Sequence, residues 1–220
     1  MNRILLGSAI LALGVLFKAT PALAQHSGAP SGAPRTECLS DADRELIAKL
    51  KALTRPTTPQ DPAPPFNPEY FVGTWTMEYD APESVLAPEG VQTGTVTFKH
   101  VDGCFYEGDL TAKGPGGAYK VKIQIMYDPL GKYLTWIETD SRGYTLFKSG
   151  TIGSDSGGYF THYFETQGFK AGGPGGKVVH LKGSTLLASP SNFRIRRSIS
   201  TGGEPYENAG EMWFRKKETV

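Results

Sequence analysis

The sequence predicts an all-β protein, an up-and-down antiparallel barrel of about ten strands that carries one short N-terminal amphipathic helix. From residue 70 onward, apolar and polar side chains alternate with a period of two, which is typical of strands with one buried and one solvated face. Turn signals such as residues 102–103 and 140–143 separate these stretches at even spacing. Because no run of helices is available to cover the sheet, the strands must close on themselves to remove their exposed edges.

Residues 1–24 have the pattern of a secretory signal peptide. Arg3 gives a basic start, residues 4–17 form an uncharged apolar run, and residues 22–24 place alanines at the first and third positions of a cleavage site. The run is shorter than the ~20 residues that a membrane-spanning helix needs, so we do not expect the chain to span a membrane. We expect cleavage near Ala24 and a secreted or periplasmic protein.

Three segments are predicted between the signal peptide and the barrel. Residues 25–35 are rich in Gly, Ser, Ala and Pro, which indicates a flexible leader. Residues 36–54 predict an amphipathic helix with Ser40 as its N-cap. Residues 55–69 contain six prolines and therefore form an extended strap. The helix is either a lid over the barrel mouth or a plug for exposed apolar surface, and the sequence leaves both open.

Ten strands are predicted in the barrel, residues 70–217. They lie near residues 70–80, 91–101, 104–112, 118–128, 132–140, 144–150, 158–166, 177–183, 192–200 and 210–217. The alternation is clearest from Tyr119 to Tyr127, where apolar side chains occupy every second position. A barrel of more than eight strands can enclose a ligand cavity.

The charge balance argues against a nucleic-acid partner. The chain has 23 basic and 22 acidic residues, and removal of the signal peptide with Arg3 and Lys18 leaves 21 and 22. The densest basic stretches, residues 194–197 and 215–217, are too short to form the basic stripe of a nucleic-acid-binding protein. Solvated strand faces explain them better.

Cys38 and Cys104 are the two cysteines of the chain. In an exported protein they suggest a disulfide that ties the helical region to the barrel. Cys104 also falls on an apolar strand face, where it would serve as a small buried thiol. The sequence leaves the two alternatives open.

Gly73 and Trp75 open the first strand, where glycine lets the sheet bend sharply and the large ring seals one end of the barrel. Together with residues 212–215 on the last strand, this Gly-x-Trp element resembles the calycins, which include lipocalins, fatty-acid-binding proteins and nitrobindin-like barrels. The ending and the turn at residues 140–143 are also similar to an uncharacterised bacterial domain-of-unknown-function family. The resemblance implies the barrel fold, and it implies that Arg215 covers the Trp75 ring. It implies no established activity.

The strongest candidate for a ligand contact is Arg197, which shares a strand face with apolar side chains. If that face points inward, Arg197 can hold a carboxylate in bidentate fashion, with Tyr119, Tyr127 and Trp136 as aromatic lining. If the register breaks at Arg197, the side chain points to solvent instead. The leading function hypothesis is binding of a small apolar or amphipathic molecule inside a monomeric barrel.

Two other functions stay open. His162 or His180 could serve as the axial ligand of a haem, the one cofactor considered. The barrel could also be fully packed and act as an envelope interaction module without a ligand. No metal-ligand spacing and no catalytic motif is found, so an enzyme is not predicted.

Overall fold

The structure is a computed structural model that describes residues 38–52, 65–154, 159–171 and 175–218. The predicted signal peptide, the predicted leader and most of the predicted strap lie outside the described residues. In the part of the chain that the structure describes, no helix is long and apolar enough to cross a lipid bilayer.

The ten predicted strands are confirmed, and one further strand of two residues is present. The strands are β1 Gly73–Ala81, β2 Gly90–Asp102, β3 Phe105–Gly114, β4 Gly117–Asp128, β5 Tyr133–Asp140, β6 Tyr144–Ser154, β7 Phe160–Thr166, β8 Phe169–Lys170, β9 Val178–Ser189, β10 Asn192–Thr201 and β11 Glu207–Lys216. The short β8 follows β7 after a break and also pairs with β9. The largest boundary error concerns β9, which continues for six residues beyond its predicted end at residue 183.

The strands form a closed antiparallel barrel. Each strand from β1 to β7 pairs with the next, β7 pairs with β9, and the β9–β10, β10–β11 and β11–β1 pairings complete the circle. Ten strands make up this circle, and β8 extends it beside β9. Closure satisfies the backbone groups of both edge strands, which would otherwise stay unpaired. The predicted fold class is therefore confirmed.

Trp75 closes one end of the barrel. Its ring is fully buried, and its Nε1 donates a hydrogen bond to the Phe71 backbone oxygen at 2.7 Å. The Phe193 ring contacts the Trp75 ring at a centroid distance of 4.9 Å and the Phe71 ring at 5.8 Å. Gly73 has a φ of +121°, a conformation that favours glycine, where the chain turns into β1.

The cation over the Trp75 ring is Lys216 and not Arg215. Lys216 Nζ lies 5.1 Å from the ring centre. Arg215 is exposed, and its Nη1 lies 3.7 Å from the Glu78 carboxylate. The register explains the difference, because β11 places Lys216 opposite Trp75 and Arg215 opposite Thr76 on the outer face.

The helix α1, Asp41–Ala52, is tied to the same end of the barrel. Ser40 caps it, since the Ser40 hydroxyl accepts from the Asp43 backbone N–H at 3.1 Å. Just before the helix, Cys38 forms a disulfide with Cys104. From the strap, Phe66 is buried among aromatic rings at this end, with its ring centre 5.2 Å from that of Tyr127. The observed helix is shorter than residues 36–54 because the chain is not helical at residues 38–40.

Candidate functional site

The opposite end of the barrel interior is polar. A cavity of about 40 Å³ lies there, beneath the β1–β2 loop and the β5–β6 turn. We call this cavity the polar chamber. Its lining includes three aromatic and three charged side chains: Tyr79, Tyr119, Trp136, Glu138, Arg142 and Arg197.

Arg197 points into the polar chamber, whereas its neighbour Arg196 points to solvent. The β10–β11 pairing shifts its register between Arg196 and Ser198. Arg196 Nε donates to Glu211 at 2.6 Å on the outer surface. The guanidinium carbon of Arg197 lies 4.6 Å from the centre of the Tyr79 ring, which is cation–π distance. Of the two orientations that the sequence left open, Arg197 has the inward one.

The charge of Arg197 has no carboxylate partner among the described residues. Its Nε is buried and finds no hydrogen-bond acceptor. Burial lowers the pKa of Arg197, whereas Tyr79 raises it and Tyr144 and Glu138 add smaller increases. The increases outweigh the effect of burial, so the pKa of Arg197 lies above its ordinary value. The guanidinium therefore stays positive inside the barrel.

Lys148 and Glu138 form a buried ion pair beside the polar chamber. Lys148 is 5% exposed, and its Nζ lies 4.6 Å from the centre of the Trp136 ring. Burial lowers the pKa of Lys148, as does the charge of Arg197, while Glu138 opposes both effects. Trp136 is itself buried, and its Nε1 donor has no acceptor on the protein.

Arg142 lies at the mouth of the polar chamber. Its Nε and Nη2 donate to the Asp140 carboxylate at 2.9 and 2.6 Å, and Nη1 donates to the Leu86 backbone oxygen at 3.0 Å. The guanidinium carbon stacks 3.9 Å from the centre of the Tyr119 ring. Burial opposes the charge, but the hydrogen bonds to Asp140 outweigh it and raise the pKa of Arg142. These contacts fix Arg142 and hold the β1–β2 loop over the chamber.

Three of the four predicted ligand contacts meet at the polar chamber: Arg197, Tyr119 and Trp136. The Tyr119 hydroxyl donates to Gln92 at 2.6 Å, and burial raises the pKa of Tyr119. Tyr127 lies at the other end, beside Phe66, in a groove of about 110 Å³ between the strap, the start of α1 and the barrel. The structure does not bring Tyr127 together with the other three because it lies at the far end of β4 from Tyr119.

The comparisons with known proteins give a fold and no family. The sequence profiles of known families do not match this chain, and neither do the sequences of curated proteins. Among solved structures, the crystal structure of Rv2717c from M. tuberculosis superposes with a TM-score of 0.56 at 13% identity, covering 68% of this chain and 94% of that one. The two proteins share a barrel fold. At that identity the likeness says nothing about function.

His162 and His180 lie away from the polar chamber. His162 is 1% exposed, and neither ring nitrogen makes a hydrogen bond of good geometry, although the Leu134 backbone is close. Burial, with a smaller contribution from Lys148, lowers the pKa of His162 to about 3. His180 is half-buried and alternates with the buried Val179 and Leu181, so it lies on the outer face of β9.

The sequence analysis did not predict the charged residues that pair with each other in and beside the polar chamber. Asp140 lies in the turn predicted at residues 140–143, where its carboxylate accepts the Arg142 backbone N–H at 2.8 Å and also binds the Arg142 side chain. Lys148 could have been found, because it occupies an inward position two residues after the buried Leu146. The same spacing places Glu138 two residues after the buried Trp136, but its pairing with Lys148 depends on the β5–β6 register. Among the described residues, no cluster of metal-ligating side chains is present.

Proposed function

We propose that the protein binds a small amphipathic molecule inside the polar chamber, with Arg197 as the anchor. The observation that carries this proposal is the inward, charged guanidinium of Arg197, whose Nε has no acceptor on the protein. A buried charge without a partner costs stability, and a ligand that pairs with it recovers that cost. Apolar side chains such as Met77 and Ile195 form the rest of the wall.

The size of the polar chamber restricts the ligand. Drug-sized ligands occupy pockets of roughly 300–1,000 Å³, whereas this cavity measures about 40 Å³. An alkyl chain of fatty-acid length does not fit in that space. We therefore favour a compact amphipathic molecule over a lipid.

A thermal-shift panel with matched arginine variants tests the proposal. The panel contains alcohols, amides and carboxylates of up to about six heavy atoms. A compound present at 100 times its Kd stabilises the folded protein by about 2.7 kcal/mol. We expect at least one compound to stabilise the wild type and the Arg196→Gln control, and to have no effect on Arg197→Gln. Arg196 is the control because it is the adjacent arginine on the solvent side. If no compound stabilises any form, the barrel is a packed interaction module.

Haem binding through His162 or His180 is a second candidate. The observation that favours it is the buried His162, whose ring nitrogens make no hydrogen bond of good geometry. His162 lines neither the polar chamber nor the groove at Tyr127, so haem would have to displace core side chains. A haem titration decides the matter: a Soret band that His162→Ala or His180→Ala abolishes supports this candidate, and no band on the wild type rejects it.

We also infer that the protein is exported and related to calycins. The Cys38–Cys104 disulfide supports export, because such bonds persist in oxidising compartments. A cation over a first-strand tryptophan supports the calycin relationship, although Lys216 takes the place expected of Arg215. N-terminal sequencing of the protein from its native host checks the first inference, with Gln25 as the expected first residue.

A further inference from the structure

We infer that the ligand of the polar chamber is a small planar monoanion held between Arg197 and Trp136. This inference rests on the proposed function and narrows it to one ligand class: a carboxylate or another planar oxyanion without a long alkyl chain. Three independent observations support it, namely the sum of the buried charges, the two unpaired donors and the volume of the cavity.

The buried charges of the chamber leave one positive charge over. Arg142 is paired with Asp140, and Lys148 with Glu138. Each pair is neutral as a unit, and for Lys148 and Glu138 this holds whichever of the two carries the shared proton. His162 is neutral at physiological pH, since its pKa is about 3. Arg197 therefore contributes a net charge of one, which one monoanion balances.

Two N–H donors at the chamber have no acceptor on the protein. These are Nε of Arg197 and Nε1 of Trp136, and both residues line the cavity. A planar oxyanion offers several acceptor lone pairs and no donor, so it can accept from both groups. The tyrosine hydroxyls of the chamber are already engaged: Tyr119 donates to Gln92, Tyr79 donates to the Ala209 backbone oxygen, and Tyr144 accepts from Arg142. The unmet groups are thus donors, which an anion satisfies and a donor-rich ligand such as an amine does not.

The cavity accepts only a few heavy atoms. One water-sized group needs about 10–15 Å³, so about 40 Å³ holds roughly three such groups. Formate, acetate and nitrate have this size. A second negative charge on the ligand would be repelled by Glu138 and Asp140, so a dianion such as hydrogen phosphate is disfavoured.

The test compares anions with neutral molecules of the same shape on the intact protein. Formate and acetate are titrated against formamide and acetamide, and the indole N–H signals of the tryptophans are followed by NMR. We expect both anions to shift the Trp136 signal in a saturable way and both amides to leave it unchanged. Trp75, whose indole is hydrogen-bonded to Phe71 at the closed end, serves as the internal control.

Variants assign the two donors. Trp136→Phe removes one donor and keeps most of the ring volume, and we expect it to weaken acetate binding about fivefold. Arg197→Gln should weaken it at least about tenfold, and the solvent-facing Arg196→Gln should not change it. Where a variant fails to fold, the comparison of acetate with acetamide on the wild type still decides the question.

The outcomes separate this inference from the proposed function. Equal binding of acetate and acetamide would overturn the monoanion inference and leave a small-molecule site in place. If acetate shifts the indole N–H signal of Trp75 or Trp213 and not that of Trp136, the anion binds outside the chamber. This result would overturn the inference. A third outcome is that neither acetate nor acetamide binds, while a larger neutral member of the panel binds through Arg197. This result would also overturn the inference and keep the proposed function.

Discussion

The titratable side chains inside the barrel differ in how the loss of hydration on burial is compensated. Lys148 and Arg142 are each paired with a carboxylate, so each pair is neutral as a unit. His162 has no such partner and is kept neutral instead. Burial that selects the neutral form of a histidine makes the free energy of unfolding depend on pH.

Acid should destabilise the protein through His162. The pKa of this histidine is about 3 in the folded protein and about 6.5 in the unfolded chain. Between these pH values the unfolded chain binds a proton at His162 and the folded protein does not. The free energy of unfolding is therefore unaffected by His162 above about pH 6.5 and decreases as the pH falls toward 3. At pH 5 the loss is about 2 kcal/mol. Urea unfolding at pH 7 and pH 5 measures it, and in His162→Leu the drop between the two should be smaller by that amount. An equal drop in both proteins would contradict the assignment.

The backbones of β9 and β10 approach each other closely at Arg197. Gly183 lies opposite Arg197, and a Cβ at Gly183 would come within 2.0 Å of the Arg196 backbone oxygen and 2.9 Å of the Arg197 Cα. Glycine therefore lets the two backbones approach at the point where β10 changes its register against β11. Consecutive residues of a strand point to opposite faces, so Arg196 lies on the outside of the barrel wall and Arg197 on the inside.

Replacement of Gly183 by alanine should damage both the barrel and the site. The added methyl group meets backbone atoms that cannot rotate away, so we expect a loss of about 2 kcal/mol in the free energy of unfolding. The shift of β10 should also weaken any ligand that depends on Arg197. Gly153→Ala in β6 is the matched control, because nothing lies within 4 Å of a Cβ there. Chemical denaturation of both variants checks the prediction, and equal stabilities would contradict it.

The whole molecule has one end that is packed and one that is polar. At the packed end, Phe66, Phe71 and Trp75 fill the barrel, and the Cys38–Cys104 disulfide ties the segment before α1 to it. At the polar end, the β1–β2 loop and the β5–β6 turn cover the chamber. The disulfide and the aromatic packing therefore lie at the end of the barrel opposite to the chamber.

Loss of the disulfide should destabilise the whole barrel. The bond joins residues separated by 66 positions, and closing a loop of that size contributes on the order of 4 kcal/mol in the chain-entropy model. We expect Cys38→Ser/Cys104→Ser to unfold at a lower denaturant concentration, with a loss of about 2–4 kcal/mol. Reductant should lower the free energy of unfolding of the wild type to that of the double variant. It should leave the stability of the double variant unchanged. Sensitivity of the double variant to reductant would point to another cause.

The sequence by itself determined the number and positions of the strands and the antiparallel closure, because side-chain alternation and turn residues are local properties of the chain. It also placed Arg197 and Trp136 among the candidate contacts. Only the tertiary structure decided that Arg197 faces inward, that Lys216 covers Trp75, and that Lys148 pairs with Glu138 beside the chamber. Each of these depends on the register between strands, and a shift of one residue in register moves a side chain to the other face of the barrel.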